Sequence, residues 1–218
     1  MIRVLLLMLV AAIPIRVHAH HDGNDGAVRA SAPPAPAADV KSETSPKQKA
    51  ARLFFSDRKL VTQRGEEVAF YTDILRDKVV LINFIFTQCT DSCPVQSARV
   101  AAVQSLLADV VGRDISLVSI SVDSERDTPQ VLREYAARFG AGNGWMFLTG
   151  SKANVDDVVR RLGQLTPTPE SHTTLFMLGN VKSGHWIKLH PDTAPAEIAQ
   201  HLRLLAAETV VAADGERR

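Results

Sequence analysis

The sequence predicts an α/β domain with a central mixed sheet, helices on both faces and a β-hairpin at its N-terminal end. Three observations predict it. Val79 to Phe86 (VVLINFIF) is almost continuously apolar, and its length and β-branched content suit a strand buried on both faces. Beyond it, strand-like runs alternate with stretches whose apolar residues recur at helical spacing, as in parallel strands joined by helical crossovers. Short paired runs with turn residues between them stand at either end of this pattern.

Taken in order, Leu60 to Gln63 and Val68 to Tyr71 flank Arg64-Gly65 as a hairpin. The buried strand follows. Val95, Ala98, Ala102, Val103, Leu106 and Val110 then recur at helical spacing, with Gly112 as the stop. Val118, Ile120 and Val122 alternate with Ser119 and Ser121, a second strand. Asp127-Thr128-Pro129 opens a helix with Thr128 as N-cap, Pro129 in the first turn and Val131, Tyr135 and Phe139 as the buried stripe. Trp145 to Leu148 is a short strand, and Val155, Val158, Val159 and Leu162 mark another helix. Thr173 to Leu178 and Trp186 to Leu189 form a closing hairpin, and Ile198, Leu202 and Leu205 the last helix. Ligand sites in such sheets lie beyond the carboxyl ends of strands. Two ends stand out, after Phe86 and after Val122.

The domain has leading and trailing segments. Residues 1–19 read as a secretory signal: Arg3 in a positive n-region, the apolar stretch Val4 to Ile13, and Val17-His18-Ala19 before the cleavage point. A retained membrane anchor is the competing reading, and the stretch is short for one. Residues 20–50 read as a flexible Ala/Pro-rich tether, since each proline of Ala30 to Pro36 lacks a donor and large apolar residues are scarce. His20 and His21 would lie at the new amino terminus, as a solvated tail or as imidazoles offered to Cu(II) or Zn(II). The domain proper is expected over 51–208, with a polar tail at 209–218. The balance of 25 Lys plus Arg against 24 Asp plus Glu argues against a broad basic surface for nucleic acid. The export signal implies a compartment outside the cytosol, where cysteines can be oxidised.

The chain has only two cysteines, Cys89 and Cys93, both placed between the buried strand and the next helix. Pro94 is a good first helical residue, which puts Cys93 at or beside the N-cap, where the positive helix end would lower its thiol pKa. Three readings compete. A structural disulfide over so short a loop contributes only about 2 kcal/mol by chain-entropy arithmetic. A dithiol–disulfide pair doing redox chemistry is the second. The third is a soft Cu(I) site, because two thiolates suit Cu(I), whereas structural zinc wants four protein ligands. The copper reading asks for one histidine. His172, before the strand at Thr173, is the candidate if that strand neighbours Val79 to Phe86. His185, His190 and His201 read as solvated.

These residues carry a resemblance. FIFTQCTDSCPVQSARV (Phe84 to Val100) resembles the CxxxCP segment of the Sco/SenC family of thioredoxin-fold copper proteins. SVDSERDTPQVLREYAARFG (Ser121 to Gly140) is similar to the family's aspartate-bearing strand end and D-T-P helix start, and SHTTLFML (Ser171 to Leu178) to its histidine segment. The resemblance covers roughly Leu53 to Leu205. It implies a thioredoxin-like fold, a periplasmic or membrane-facing role, and one copper ion, Cu(I) or Cu(II), bound by Cys89, Cys93 and His172. Asp123 is carried over as a residue that supports the ligands without binding the metal.

The function so implied is a periplasmic copper chaperone. It would deliver copper to, or mature, the binuclear copper centre of cytochrome c oxidase, or serve another copper-site client. Its expected partners are the copper-bearing oxidase subunit and a periplasmic thiol reductant. Membrane contact would come only through the client or an uncleaved N-terminus. The alternative is a thiol-disulfide oxidoreductase that reduces a client's cysteines. Against it, thioredoxins space their cysteines by two residues and face them with a cis-proline, whereas here the spacing is three and Thr173 and Thr174 stand after the histidine. A peroxidase reading of Thr90-Asp91-Ser92-Cys93 lacks its upstream proline, which would fall at Phe86.

Overall fold

A computed structural model describes residues 46–215, without the side chains of 47 and 209–215. The expected signal and most of the expected tether lie outside the described residues. Helix α1 (Pro46–Phe55) leads into strands β1 (Lys59–Thr62) and β2 (Glu67–Ala69) and a π-helical turn, Phe70–Leu75. There follow β3 (Val79–Ile85), α2 (Ser92–Leu106), β4 (Ile115–Ser121), α3 (Pro129–Arg138), β5 (Trp145–Thr149) and α4 (Lys152–Arg161). A single 3-10 turn, Pro169–Ser171, precedes β6 (Phe176–Asn180), β7 (His185–Leu189) and α5 (Pro195–Gly215).

The strands form one mixed sheet in the order β2-β1-β5-β4-β3-β6-β7. At its centre β3 runs parallel to β4 and antiparallel to β6, with Ile85 opposite Ser121 and Ile82 opposite Met177. Every residue of β3 is buried because both faces are covered. Val79, Leu81 and Ile85 pack with Val100 and Val103 of α2, Tyr135 of α3 and Leu202 of α5. Val80, Ile82 and Phe84 pack with Phe55 of α1 and with Val155 and Val158 of α4. The uninterrupted apolar run therefore has a direct cause: successive side chains point to opposite faces, and each face has its own core. Among the described residues no helix is long and apolar enough to cross a membrane.

The expected α/β architecture is present, with local differences. Helix α1 takes in the last residues assigned to the tether. Its C-terminal carbonyls at Leu53 and Phe54 accept hydrogen bonds from the Arg161 guanidinium at 3.0 and 2.7 Å, a tertiary contact that no local pattern announces. The second hairpin strand stops at Ala69, because Phe70 and Tyr71 turn into the π-helical segment. On α2 the buried face is Cys93, Gln96, Ser97, Val100 and Val103, not the stripe through Val95 and Leu106, which are 50 and 49 % exposed. That face buries polar groups because they find partners inside: Ser97 Oγ lies 3.1 Å from the Tyr135 hydroxyl. On α3 the buried residues are Leu132, Tyr135 and Ala136. The Thr128 cap is present, its hydroxyl accepting the Val131 N–H at 3.3 Å. Strand β6 starts at Phe176, not Thr173. The last helix continues to Gly215, through residues expected in the C-terminal tail.

Candidate metal centre

The carboxyl end of β3 leads into Phe86, Thr87 and Gln88, then the cysteines. The Cys89 N–H closes a turn onto the Phe86 carbonyl at 3.1 Å. Helix α2 starts at Ser92 with Asp91 in the cap position, so Cys93 is the second helical residue rather than the cap. Both thiols are free; Cys89 is half-buried and Cys93 fully buried. The Cys93 N–H, one of the unpaired donors of the first helical turn, points at Cys89 Sγ at 3.4 Å. Ser92 Oγ lies 3.7 Å from the same sulfur.

This geometry corrects the expectation for the thiols. Burial pushes the Cys93 thiol up to about 12, and the adjacent Cys89 sulfur adds to the rise, against hydrogen bonding from the Phe86 backbone. The helix terminus acts on the other cysteine. At Cys89 burial raises the pKa, but hydrogen bonds from the Cys93 and Asp91 backbone and from the Cys93 and Ser92 side chains outweigh it, and the net shift is downward.

His172 arrives from across the sheet. The 3-10 turn Pro169–Ser171 ends at it, and its side chain is 8 % exposed. Its Nδ1 lies 2.7 Å from the Pro169 carbonyl oxygen, which can only accept, so Nδ1 carries the proton and Nε2 the lone pair. That Nε2 stands 3.6 Å from Cys93 Sγ. Burial lowers the imidazole pKa, opposed by the Pro169 and Phe84 carbonyls, so the ring favours its neutral form. Phe86 meets the ring edge-on at 5.4 Å. Gln96, one turn along α2 from Cys93, donates to the Thr174 carbonyl at 2.6 Å and ties the histidine segment to the cysteine helix.

The spacing can be tested against coordination. Metal–sulfur and metal–nitrogen bonds of about 2.3 and 2.0 Å, the values for zinc, opened at about 110–120°, put sulfur and nitrogen about 3.5–3.7 Å apart. The Cys93–His172 pair fits that distance, with a lone pair already facing the sulfur. Among the described residues no three His, Cys, Asp or Glu side chains converge as a finished cage. Cys89, linked to this pair through the Cys93 N–H, is the more exposed thiol.

Asp123 is 6 % exposed and pairs with Arg126 at 3.1 Å. It reaches the cysteine loop through that arginine, whose Nη1 donates to Gln88 Oε1 at 2.9 Å. The carboxylate that touches the loop directly is Asp127, fully buried, which accepts the Thr87 N–H at 3.1 Å, the Thr87 hydroxyl at 2.6 Å and the Ser121 hydroxyl at 2.6 Å. From sequence Asp127 reads only as part of a helix start, and Gln96 as one more polar residue. Helical spacing from Cys93 would have exposed Gln96, whereas nothing local marks Asp127 as the loop's partner. His185 hydrogen-bonds Glu208 at 2.7 Å, and His185 and His190 are exposed. His201 is half-buried and lies 3.9 Å from Glu197.

Comparison with known proteins gives the family and the fold. The sequence profile of the family described as SCO1/SenC matches residues 46–207. An SCO2-like protein of Rickettsia prowazekii is 38 % identical over 99 residues, which is 45 % of this chain and 46 % of that protein, so the chain spans about half of that relative's length. An SCO2-like protein of Rickettsia conorii is 35 % identical over 157 residues, 67 % of this chain and 74 % of that one. The structure of a SCO1/SenC family lipoprotein from Bacillus anthracis superposes with a TM-score of 0.59 at 26 % identity, over 68 % of this chain and 92 % of that one. Bradyrhizobium japonicum ScoI with copper bound gives 0.57 at 26 %, over 69 % and 98 %. BsSco, described as a member of the Sco family of cytochrome c oxidase assembly proteins with a disulfide switch, gives 0.59 at 25 %, over 70 % and 93 %. The fold is thus the thioredoxin-like one of these proteins, and with its profile match running from α1 into α5 the chain belongs to the SCO1/SenC family.

Proposed function

We propose that this protein is a copper chaperone that binds one copper ion through Cys89, Cys93 and His172 and hands it to, or matures, the binuclear copper centre of a cytochrome c oxidase. The observation that carries the reading is the 3.6 Å approach of His172 Nε2 to Cys93 Sγ, with Nδ1 committed to the Pro169 carbonyl. A neutral imidazole fixed in the tautomer that offers Nε2, beside a buried thiol, is a ligand pair already oriented. Copper bound to one solved relative and the oxidase-assembly role of another support the cargo and the client.

Cu(I) would meet Cys89 first, since that thiol is the more exposed and the more readily ionised. Cys93 would lose its proton as its sulfur binds, and Nε2 would complete three-coordination. Transfer follows by ligand exchange at the Cys89 side, where a client thiolate can attack before release. In the metal-free protein a client or small-molecule disulfide can accept two electrons and two protons, leaving as two thiols while Cys89 and Cys93 join as a disulfide, and this removes the soft donors and closes the site to copper. The disulfide switch described for BsSco favours this redox gating, and a periplasmic thiol reductant would restore the site. Residues 1–19 would export the chain to the periplasm, and residues 20–45 would tether the domain to whatever the N-terminus engages.

The test is competition titration of the reduced protein with Cu(I), beside His172→Ala. One tightly held ion per chain, weakened at least tenfold in a variant that still unfolds cooperatively, is expected. No tight binding, or binding indifferent to His172, would remove the copper reading and leave thiol-disulfide exchange.

A further inference from the structure

Two loops at the carboxyl ends of adjacent parallel strands meet beneath the cysteines. One follows β3 and carries Thr87, Gln88 and Cys89; the other follows β4 and carries Asp123, Arg126 and Asp127. They are joined at two points, Arg126 to Gln88 and Asp127 to Thr87. The first contact is exposed, and the second is inside. Among the described residues no lysine or arginine pairs with the buried Asp127, which carries a desolvation cost. Its three hydrogen bonds are the compensation, and two of them are spent on Thr87.

Thr87 stands inside the turn that the Cys89 N–H closes onto Phe86. Fixing the Thr87 N–H and hydroxyl to one carboxylate fixes that turn, and the turn aims Cys89 Sγ at the Cys93 N–H. The bond to Ser121 anchors the same carboxylate to the end of β4, which pairs with β3 at Ile85. The sheet thereby sets the position of the loop through one side chain.

We propose that Asp127 is the positioning residue of the cysteine pair: it acts through Thr87 to hold Cys89 within reach of Cys93, and it touches neither cargo nor sulfur. The proposal deepens the copper reading and rests on it for the metal assay, while a metal-free assay separates the two. Asparagine can keep most of this function, since its Oδ1 can accept the Thr87 hydroxyl and, at the longer 3.3 Å contact, the Thr87 N–H, while its Nδ2 can donate to Ser121. Alanine cannot.

The experiment compares Asp127→Ala, Asp127→Asn and Thr87→Val with Ser119→Ala. Ser119 loses comparable buried bonds, to Asn83 at 2.7 Å and Trp145 at 3.0 Å, and makes none to the cysteine loop. Each full-length chain is read by Cu(I) competition and, without metal, by equilibration with glutathione. In that exchange one glutathione disulfide oxidises the two thiols to one disulfide and leaves as two glutathione thiols. Asp127→Ala should bind Cu(I) about 10–100-fold more weakly, the range for residues that orient metal ligands. It should also favour the Cys89–Cys93 disulfide about tenfold less, because the effective concentration of one thiol near the other falls. Asp127→Asn should stay within about threefold of the parent on both, and Ser119→Ala likewise despite a lower melting temperature. If Asp127→Ala does not fold, Thr87→Val decides, with a loss of at least about threefold on both readouts. Parental values in a folded Asp127→Ala or in Thr87→Val would overturn the proposal. So would Asp127→Asn as damaged as the alanine variant, or Ser119→Ala shifted as far. A parent that binds no Cu(I) would sink the copper reading, and the glutathione equilibrium would still decide Asp127.

Discussion

The buried thiol gives a prediction with a worked slope. In the metal-free site Cys93 titrates near 12 against an ordinary value of 9.0, so holding it as a thiolate costs about 4 kcal/mol more than in a free thiol. Between pH 6 and 8 the thiol is therefore fully protonated, and copper can use the sulfur only by expelling the proton. One proton released per ion makes the apparent Cu(I) affinity rise about tenfold per pH unit, about 100-fold across the window. His172 adds little, because its lowered pKa keeps the ring neutral over most of that range. Any proton that Cys89 gives up on binding, from a thiol lowered by the hydrogen bonds around it, can only steepen the slope. The assay is Cu(I) competition at pH 6, 7 and 8 against a chromophoric chelator, corrected for the chelator's protonation. Cys93→Ser has no thiol to ionise at that position and should lose this contribution to the slope along with the affinity. A parental affinity that changes by less than about threefold across the window would refute the reasoning, since no ligand would then be giving up a proton.

Other outcomes follow from the packing. Gly144 sits at φ +91° with its Cα against Gly112, where an added Cβ would overlap the Gly112 backbone; Gly144→Ala should cost about 3 kcal/mol or more, read by urea denaturation, and a loss under about 1 kcal/mol would show that the loops part easily. Thr128→Ala removes the cap of α3 and should cost about 1 kcal/mol in the same assay, with copper binding unchanged. Asp127 carries a pKa raised first by burial, against hydrogen bonds from Ser121 and Thr87. A carboxyl that binds its proton more tightly when folded stabilises the fold most at low pH, and that contribution is lost as pH rises from its unfolded value through its folded one. Asp127→Asn should therefore be at least as stable as the parent at pH 7, with the gap closing toward about pH 4. A variant that gains relative stability as pH falls would contradict this sign.

Much of the site is written locally. The eight-residue run at Val79 to Phe86 reads as a strand covered on both sides from its length and β-branched content, which puts the cysteines just beyond a strand end. Thr128-Pro129 announces its cap because capping is a contact between near neighbours. Local reading failed where the partner is remote. The apolar residues of α2 pointed to the wrong face, since Gln96 and Ser97 are buried by the acceptance of Thr174 and Tyr135, 78 and 38 residues away. Helix α1 is invisible in a Pro-rich lead-in until Arg161 caps it. Asp123 and Asp127 look alike as acids after a strand, and only the register of β3 against β4 decides which one meets Thr87.

The type of fold, the position of the cysteines and the residue types of the proposed metal site are thus legible along the chain, because periodicity and spacing are properties of neighbouring residues. The tertiary structure decided the state of those residues. Burial, not the helix end, governs the Cys93 thiol; the helix end acts on Cys89; and a carbonyl at Pro169 chooses the nitrogen that His172 presents. Protonation and tautomer depend on desolvation and on partners brought from distant parts of the chain, and those exist only once the sheet has closed.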